Sequence, residues 1–583
     1  MEKLALLSVS DKTGIVEFAK QLAELGYTNV STGGTYNKIN DAGVKVMIVS
    51  DLTDFPEILE GRVKTLHPKI YGGILARRDK DDHMHQVEDY KIPLIDIVAV
   101  NLYPFEQTML SGASLEECIE NIDIGGPTMV RAAAKNYEHV VIAINPEHYP
   151  LILYHLNKGN VPLELRMLLA EEAFTHTARY DAIISRWFRN KSGEKSIPKH
   201  VILAFDLTNL EMRYGTNKNQ TETGLYKLAG TNFGITAVEQ YADNGEWKTI
   251  AEKADFHGKA LSYNNLFDVE VAIDDVVRAV AELGGITNAI ANKHGNDCGN
   301  AISSDVDEAI RLSTSGDPIS SFGGVRAVYG VVDEKAAKTI INGPLTEIIL
   351  ALDYTKQAID ILLTKKNLRI LKTNFKDESN DRFKYRIGMD AGHLMLENKV
   401  YDLIDEKKLK VVSGDLSFYE NNKNLIHFGI ITCQNKFSNA ITLVQKISEG
   451  KYRQVGFGAG NANRVLSVEQ ACQLAQNNFY NEFEELLKTD EGKNLLSQTL
   501  DASIDIIMRL PEYKNNYVKK KMGELILISD SFFPFPDNIE VAHKYGIKNI
   551  VEDGGSEKDE IVFSKAREYG MNMLVTGIRY FRH

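Results

Sequence analysis

The 583-residue sequence predicts an α/β protein, with an N-terminal parallel-sheet domain followed by a larger α/β region in two parts. Three observations predict it. Short apolar strands alternate with helix-spaced apolar residues through residue 150. A polar stretch with Gly and Pro, SGEKSIPKH (192–200), then interrupts the pattern. Beyond it, KHGNDCG (293–299), SSFGG (320–324) and GFGAGN (456–461) are spread over a length that suits two α/β halves.

Leu4 to Val9 reads as the first strand. Gly14 to Leu25 reads as a helix, because Ile15, Phe18, Ala19, Leu22 and Leu25 recur at helical spacing. Val46 to Val49, Ile95 to Val100 and Val140 to Ile144 are further strands, and Leu115 to Asn121 and Thr128 to Asn136 are helices. Residues 162–189 form a long helix that runs into the polar stretch, so the domains are placed at 1–198 and 199–583. No sequence identity between the two later parts reveals a repeat. Residues 465–525, rich in Glu, Lys, Asn and Leu, read as helices with a solvated face.

Composition narrows the function. With 43% hydrophobic and 25% charged residues, the chain has material for more than one core, and fibrous, disordered and disulfide-scaffold classes are excluded. Asp plus Glu outnumber Lys plus Arg by 80 to 67, and no basic stripe stands out. Nucleic acid and membrane surfaces are therefore not expected partners. The four cysteines are far apart and form no CxxC unit, which points to a reducing, cytoplasmic setting and away from structural zinc. The opening MEKLALLSVSDKTG has too short an apolar run for a secretory signal, and no run of about 18 apolar residues follows.

Against this acidic background, several motifs suit an anionic ligand. SVSDKTG (8–14) follows a strand and opens a helix, where Ser8, Ser10, Asp11 and Thr13 are candidate caps and Lys12 adds charge; a plain cap is the competing reading. STGGT (31–35) places Gly33 and Gly34 where backbone N–H groups can approach an oxyanion, or simply form a turn. GRVKTLHPK (61–69) gathers four basic residues, and an extended backbone would set Arg62 and Lys64 on one side. Asn101 and Tyr103 follow a buried strand, and Asp123, Gly125, Gly126, Arg131 and Lys135 accompany the next helix.

In the larger region, Lys293 and His294 stand at the end of the apolar strand TNAIAN. They offer an oxyanion donor beside a proton-transfer group. Cys298 reads as a buried structural thiol, since no second signal activates it. Phe532, Phe533 and Phe535 form either an apolar wall for a flat ligand or ordinary core. Arg579, Arg582 and His583 lie at an active-site edge or fray.

In this order the motifs closely resemble one family end to end. It fuses phosphoribosylaminoimidazolecarboxamide formyltransferase to IMP cyclohydrolase. LLSVSDKTG, STGGT, GRVKTLHPK, NLYPF and NIDIGGPTMVRAAAKN resemble the cyclohydrolase domain; RYG, GKALSYNN, KH, SSFGG, SNA, GAG and FFPF resemble the transformylase. The resemblance implies a methylglyoxal-synthase-like first domain and tandem cytidine-deaminase-like subdomains without the deaminase zinc. It also implies a homodimer with transformylase sites at the subunit interface, and no catalytic metal.

Two reactions are implied. The amine of 5-aminoimidazole-4-carboxamide ribotide (AICAR) takes a formyl group from the co-substrate 10-formyltetrahydrofolate, and formyl-AICAR then closes to IMP. Carried over by motif, Lys64, Asp123 and Lys135 serve ring closure. Ser10, Lys12, Thr32, Gly33, Arg62, Thr65, Asn101 and Tyr103 bind its nucleotide. Lys293, His294 and Asn439 serve formyl transfer. Arg213, Tyr214, Gly323, Asp333 and Arg579 bind that nucleotide, and Arg464, Phe532 and Asp537 the folate.

The transformylase half departs from the common pattern at Asn219, Gly295, Asp297, Asn461 and Pro536. Asp297 is expected either to face His294 or to point into solvent. These departures keep a cyclohydrolase-only enzyme as an alternative, and a non-catalytic nucleotide-binding regulator as a more distant one. The length argues against a methylglyoxal synthase.

Overall fold

The computed structural model describes residues 3–193, 196–283, 288–376, 383–388, 393–398, 404–489 and 504–582. His583 lies outside them. The chain divides into two compact units: residues up to Asp206 with Lys227–Asn232, and Leu207–Tyr226 with the remainder.

The first unit is built on five parallel strands, β1 (Lys3–Val9), β2 (Tyr27–Ser31), β3 (Val46–Ile48), β4 (Ile95–Asn101) and β5 (Val141–Ala143), in the order β3-β2-β1-β4-β5. The strand missing from the sequence reading is β2. Its alternation hides because Asn29 and Ser31 are buried polar residues, whose Nδ2 and Oγ donate to the carbonyls of Ala19 at 2.8 Å and Leu7 at 2.6 Å. The order reverses at β1, which lies between β2 and β4, and such a switch point opens a crevice beyond the strand ends.

Local chemistry sets the helix starts. The helix Ile15–Glu24 begins after Gly14, whose φ of 68° is left-handed, and no side chain caps it. The expected cap is instead a turn: Asp11 Oδ1 accepts from Thr13 N at 3.0 Å and from Thr13 Oγ1 at 2.7 Å. The long helix Leu163–Ser192 ends at Gly193, φ 63°, in the left-handed conformation common after helix ends. Arg179 on that helix pairs with both Glu106 and Asp206, while Glu106 Oε1 accepts from Gly230 N at 2.6 Å. These bonds tie Asp206 and the Lys227–Asn232 stretch to the first unit.

The second unit carries a thirteen-stranded mixed sheet. Its order is Lys410–Ser413, Asn572–Val575, Asn549–Glu552, Ile526–Ser529, Ile441–Ser448, Lys451–Gly458, Asn296–Ile302, Asn288–Lys293, Gly324–Val332, Thr346–Tyr354, Arg369–Lys372, Glu239–Tyr241 and Trp247–Thr249. It contains a repeat that the sequence does not reveal. Helix Tyr263–Leu283, the hairpin of 288–302, helix Val306–Gly316 and three parallel strands alternating with helices make one half. Helix Ser417–Gln434, the hairpin of 441–458, helix Arg464–Lys488 and three parallel strands make the other. The second strands of the two hairpins pair at the centre and fuse the halves into one sheet.

Helix Arg464–Lys488 is not only a solvated face. Val468, Ala471, Cys472, Ala475, Phe479 and Phe483 are buried along it. The glycines of GFGAGN serve this packing. A Cβ at Gly456 would lie 2.3 Å from Ala471 O, and one at Gly458 would lie 2.1 Å from Ser467 O. Residues 490–503 of the expected helical stretch lie outside the described residues.

Candidate active sites

In the first unit a cavity of about 700 Å³ opens beyond the carboxyl ends of β1, β2 and β4. Ser10, Lys12, Thr32, Gly33, Arg62, Lys64, Thr65, Asn101, Tyr103 and Asp123 all line it. Helix Gly33–Asp41 points its N-terminus into the cavity. Its N-cap, Thr32, makes no side-chain cap; its hydroxyl bonds Ser8 Oγ at 2.8 Å. The ammonium groups of Lys64 and Lys12 lie beside Gly33 and Gly34. Free N–H groups, a helix dipole and the Lys12 ammonium suit an anion such as a phosphate, with Lys64 beside them.

Asp123 sits across from Lys64. Its Oδ1 accepts from Gly126 N at 2.8 Å and its Oδ2 from Tyr103 N at 3.3 Å. Burial pushes this carboxyl above its ordinary range, opposed by those two hydrogen bonds and by the charge of Lys64. Gly126 is required at this turn, because a Cβ there would lie 2.5 Å from Asp123 Oδ2. Tyr180 OH accepts from Asp123 N at 2.8 Å and fixes the turn from the long helix.

The basic motif is not extended. Leu59, Glu60 and Gly61 all have positive φ, and Arg62 and Lys64 diverge to separate carboxylates, Glu120 and Glu57. Asn101 lines the cavity but spends its amide on the scaffold: Oδ1 accepts from Ser10 N at 2.6 Å and Asp11 N at 2.9 Å. Lys135 does not line the cavity of this chain. It ends helix Gly125–Lys135, exposed, ten residues from the glycine that faces the cavity.

In the second unit one edge of the sheet gathers the candidates. Lys293 and His294 end the strand Asn288–Lys293. His294 and Gly295, φ 56° and 73°, form a tight two-residue hairpin turn. The antiparallel neighbour starts at the same edge, with Gly323 (φ 80°) and Gly324 against Asn292 and Lys293. Lys293 Nζ donates to Phe322 O at 2.8 Å. At the same ends of the parallel strands beside it stand Glu347, second in its strand, and Arg369, first in its own, which pair at 3.3 Å. Arg213 joins through Asn265: its Nη2 lies 3.4 Å from Asn265 Oδ1, whose Nδ2 donates to Glu347 Oε2 at 3.3 Å. Tyr214 lies under the Arg213 guanidinium, 5.1 Å from its ring centre.

The other half supplies the same edge. Asn439 precedes the strand Ile441–Ser448, and Phe437 N donates to Asn296 Oδ1 at 3.2 Å, joining its loop to the His294 turn. Arg464 Nη2 donates to Asn439 Oδ1 at 2.8 Å. Arg579 pairs with Asp553 at 3.3 Å and stands 5.2 Å from the Phe532 ring centre. Of the three phenylalanines, Phe533 is core, Phe535 is exposed under Lys558, and Phe532 is half-buried beside Arg579. Asp537 is exposed at the start of helix Asp537–Lys544. Burial pushes the neighbouring carboxyls up, Glu552 to about 8 and Asp553 to about 6.

Asp333 caps helix Glu334–Asn342, accepting from Ala336 N at 2.9 Å, at the far end of the strand whose near end meets Lys293, so a single chain does not bring it to this edge. Nine strand residues separate it from this edge. Glu347, which carries no motif of its own, occupies the edge instead. One expectation, on Asp297, is corrected: Asp297 neither faces His294 nor meets solvent, being fully buried and paired with Lys436. Cys298 is a buried thiol, pushed by burial up to about 12.

Two families match the chain: the AICARFT/IMPCHase bienzyme over residues 133–474 and the MGS-like domain over residues 14–128. Over 586 residues, covering 100% of both chains, it is 38% identical to the bifunctional purine biosynthesis protein PurH of Acetivibrio thermocellus. It is 39% identical, again over 100% of both chains, to the proteins of the same name from Thermoanaerobacter sp. and Persephonella marina.

The chain belongs to the AICARFT/IMPCHase bienzyme family.

Within the bienzyme family, the first unit is the MGS-like domain with its parallel sheet, and the second is the larger α/β region. The two sets of candidate residues described above lie one in each unit. Among the described residues no helix is long and apolar enough to cross a membrane.

Proposed function

We propose that this chain carries out the last two steps of IMP synthesis, with formyl transfer at the sheet edge of the second unit and ring closure in the cavity of the first. The donor is a folate, 10-formyltetrahydrofolate. The observation that carries the reading is two gatherings of reactive side chains, one in each unit, in a chain that matches PurH proteins end to end.

In formyl transfer the AICAR amine attacks the formyl carbon of the folate. His294 takes the proton from that nitrogen, and Lys293 and the Asn439 amide stabilise the oxyanion. Collapse expels the folate nitrogen, which receives the proton held by His294 and leaves as the amine. Arg213, Tyr214, Arg579 and the pair Glu347–Arg369 hold the nucleotide, while Arg464, Phe532 and Asp537 serve the folate. An aromatic amine is a weak nucleophile, so alignment of the two substrates contributes as much as proton removal.

In ring closure the carboxamide nitrogen attacks the new formyl carbon, and the formyl oxygen leaves as water with one proton from that nitrogen and one from the formylamino nitrogen. Asp123 accepts the amide proton, and Lys64 stabilises the formyl oxygen. Lys12 and the N-terminus of helix Gly33–Asp41 hold the phosphate, and Arg62, Thr65 and Tyr103 close over the rest. The exposure of Lys135 in a single chain gives no support for placing it in this cavity.

The working form is a homodimer with the transfer sites at its interface. Phe322, whose carbonyl accepts from Lys293 Nζ, and Ile319, whose carbonyl accepts from Phe322 N, are 57% and 86% exposed, an apolar surface that suits a second copy. The test is to give purified protein AICAR with 10-formyltetrahydrofolate, and separately preformed formyl-AICAR, and follow absorbance. IMP from both is expected; formation from the second alone would reject formyl transfer.

A further inference from the structure

Asp297, three residues after His294, and Lys436, three residues before Asn439, are both fully buried. Lys436 Nζ pairs with Asp297 Oδ1 and also donates to Thr432 O at 2.8 Å and Gln454 Oε1 at 2.9 Å. Asn300 Nδ2 donates to Asp297 Oδ2 at 3.2 Å. All three ammonium donors and both carboxylate oxygens are engaged. Beside the pair, Phe437 N donates to Asn296 Oδ1 at 3.2 Å. Two consecutive residues of the hairpin, 296 and 297, are thus bonded to two consecutive residues, 437 and 436. Arg582 backs the same segment: its guanidinium donates to Asn435 O, and its carbonyl accepts from Ser438 N at 3.0 Å.

A buried ion pair adds little net stability, and an apolar pair of the same volume often does better. This pair has a second effect. The tight turn His294–Gly295 leaves few soft torsions between Asp297 and the two reactive side chains, so the position of Asp297 sets theirs. Lys436 is equally close in sequence to Asn439. Resting on the formyl-transfer reading, we propose that the Lys436–Asp297 pair is a positioning device that holds the Lys293–His294 turn in register with Asn439.

The test uses the full-length chain with Asp297→Leu, Lys436→Met and the double variant, normalising transfer to ring closure in the same preparation. Each single variant lowers the kcat of formyl transfer about 100-fold, as a misplacement of about 1 Å does. KM for AICAR stays within about threefold, because its anchors are elsewhere. The double variant removes the orphaned charge and recovers the thermal midpoint, yet kcat stays low. Recovery of kcat along with stability, or a folded single variant with wild-type kcat, overturns the proposal. If the single variants fail to fold, the double variant decides alone. Its crystal structure gives a readout independent of turnover: the 293–296 turn shifts by about 1 Å or more against Asn439. A superimposable turn overturns the proposal even if the wild type transfers no formyl group, an outcome that would separately reject the functional reading.

Discussion

Arg464 grips Asn439 from behind: its Nη2 donates to Asn439 Oδ1 at 2.8 Å while its Nη1 reaches Ser529 Oγ at 3.0 Å and the buried Asp530 carboxylate. With Oδ1 so occupied, Asn439 presents only its amide protons forward, and one of these goes to Asn461 O at 2.9 Å. The remaining proton is the donor available to a formyl oxygen. Arg464 therefore orients the amide as well as balancing Asp530.

Arg464→Lys keeps the charge beside Asp530 but cannot span both partners. Formyl transfer is expected to fall about 10-fold with a nearly unchanged thermal midpoint. Arg464→Met strands the buried Asp530 charge and should cost about 3–5 kcal/mol of second-unit stability. Paired melting curves and transfer rates check both; wild-type transfer in Arg464→Lys would show that orientation of Asn439 is immaterial.

Lys64→Ala should lower ring closure of preformed formyl-AICAR about 100- to 1,000-fold, the usual loss for one oxyanion donor. Formyl transfer, in the other unit, should persist. Steady-state rates for the two half-reactions, measured on one preparation, decide it.

Asp123 must be ionised to accept the amide proton, and burial raises its pKa in the folded protein. Ring closure should therefore fall on the acid side through a limb lying above the ordinary aspartate value. Asp123→Asn should abolish that limb and leave a low, flat profile. A limb at the ordinary carboxylate position in the wild type would remove Asp123 from the role.

Glu552 is buried and holds its proton up to about 8, so the folded second unit binds a proton that the unfolded chain has released. Its contribution to stability is full below the ordinary glutamate value and is lost as pH rises through about 8. Glu552→Gln mimics the neutral form and keeps the acceptor for Phe533 N. Relative to wild type it should gain about 1.4 kcal/mol per pH unit between about pH 5 and 8, then level off. Denaturant titrations across that range would expose a constant difference if the group is not protonated.

A fragment ending at residue 198 lacks Asp206, which pairs with Arg179, and Gly230, which donates to Glu106. It should melt about 5 °C below a fragment ending at 232, the shift for roughly 1–2 kcal/mol in a domain of this size. Equal midpoints would show that these contacts are dispensable.

Much of the first site is legible in the sequence because its residues sit in short runs at strand ends. Once β1 and β4 are read as parallel strands, Ser10, Lys12, Asn101 and Tyr103 must share one end of the sheet. Lys64 and Asp123 are 59 positions apart, and their meeting depends on the loop of positive-φ residues at 59–61. That loop carries no apolar period, so the sequence suggests an extended arm in its place.

The second site shows the opposite balance. Motifs mark Lys293, His294 and Asn439, but nothing in their spacing says that they lie on one edge. Glu347 carries no local signal because it is a single charge, the second residue of its strand, just before an apolar run, and the capping role of Asp333 shows only in the structure. Asp297 reads as an oddity near a catalytic histidine until its partner, 139 positions away, is seen.

Local pattern by itself determined the α/β class, the helix and strand runs with strong periodicity, and the types of residue present for both reactions. Those follow from interactions between residues near in sequence, which periodicity and turn chemistry record directly. Only the tertiary structure decided which ends of which strands coincide, that the second unit is a repeat fused through its central hairpin strands, and that Lys436 belongs to Asp297. Pairing between distant strands and burial of a charge beside its counter-ion are set by packing of the whole sheet, and no local window contains both partners.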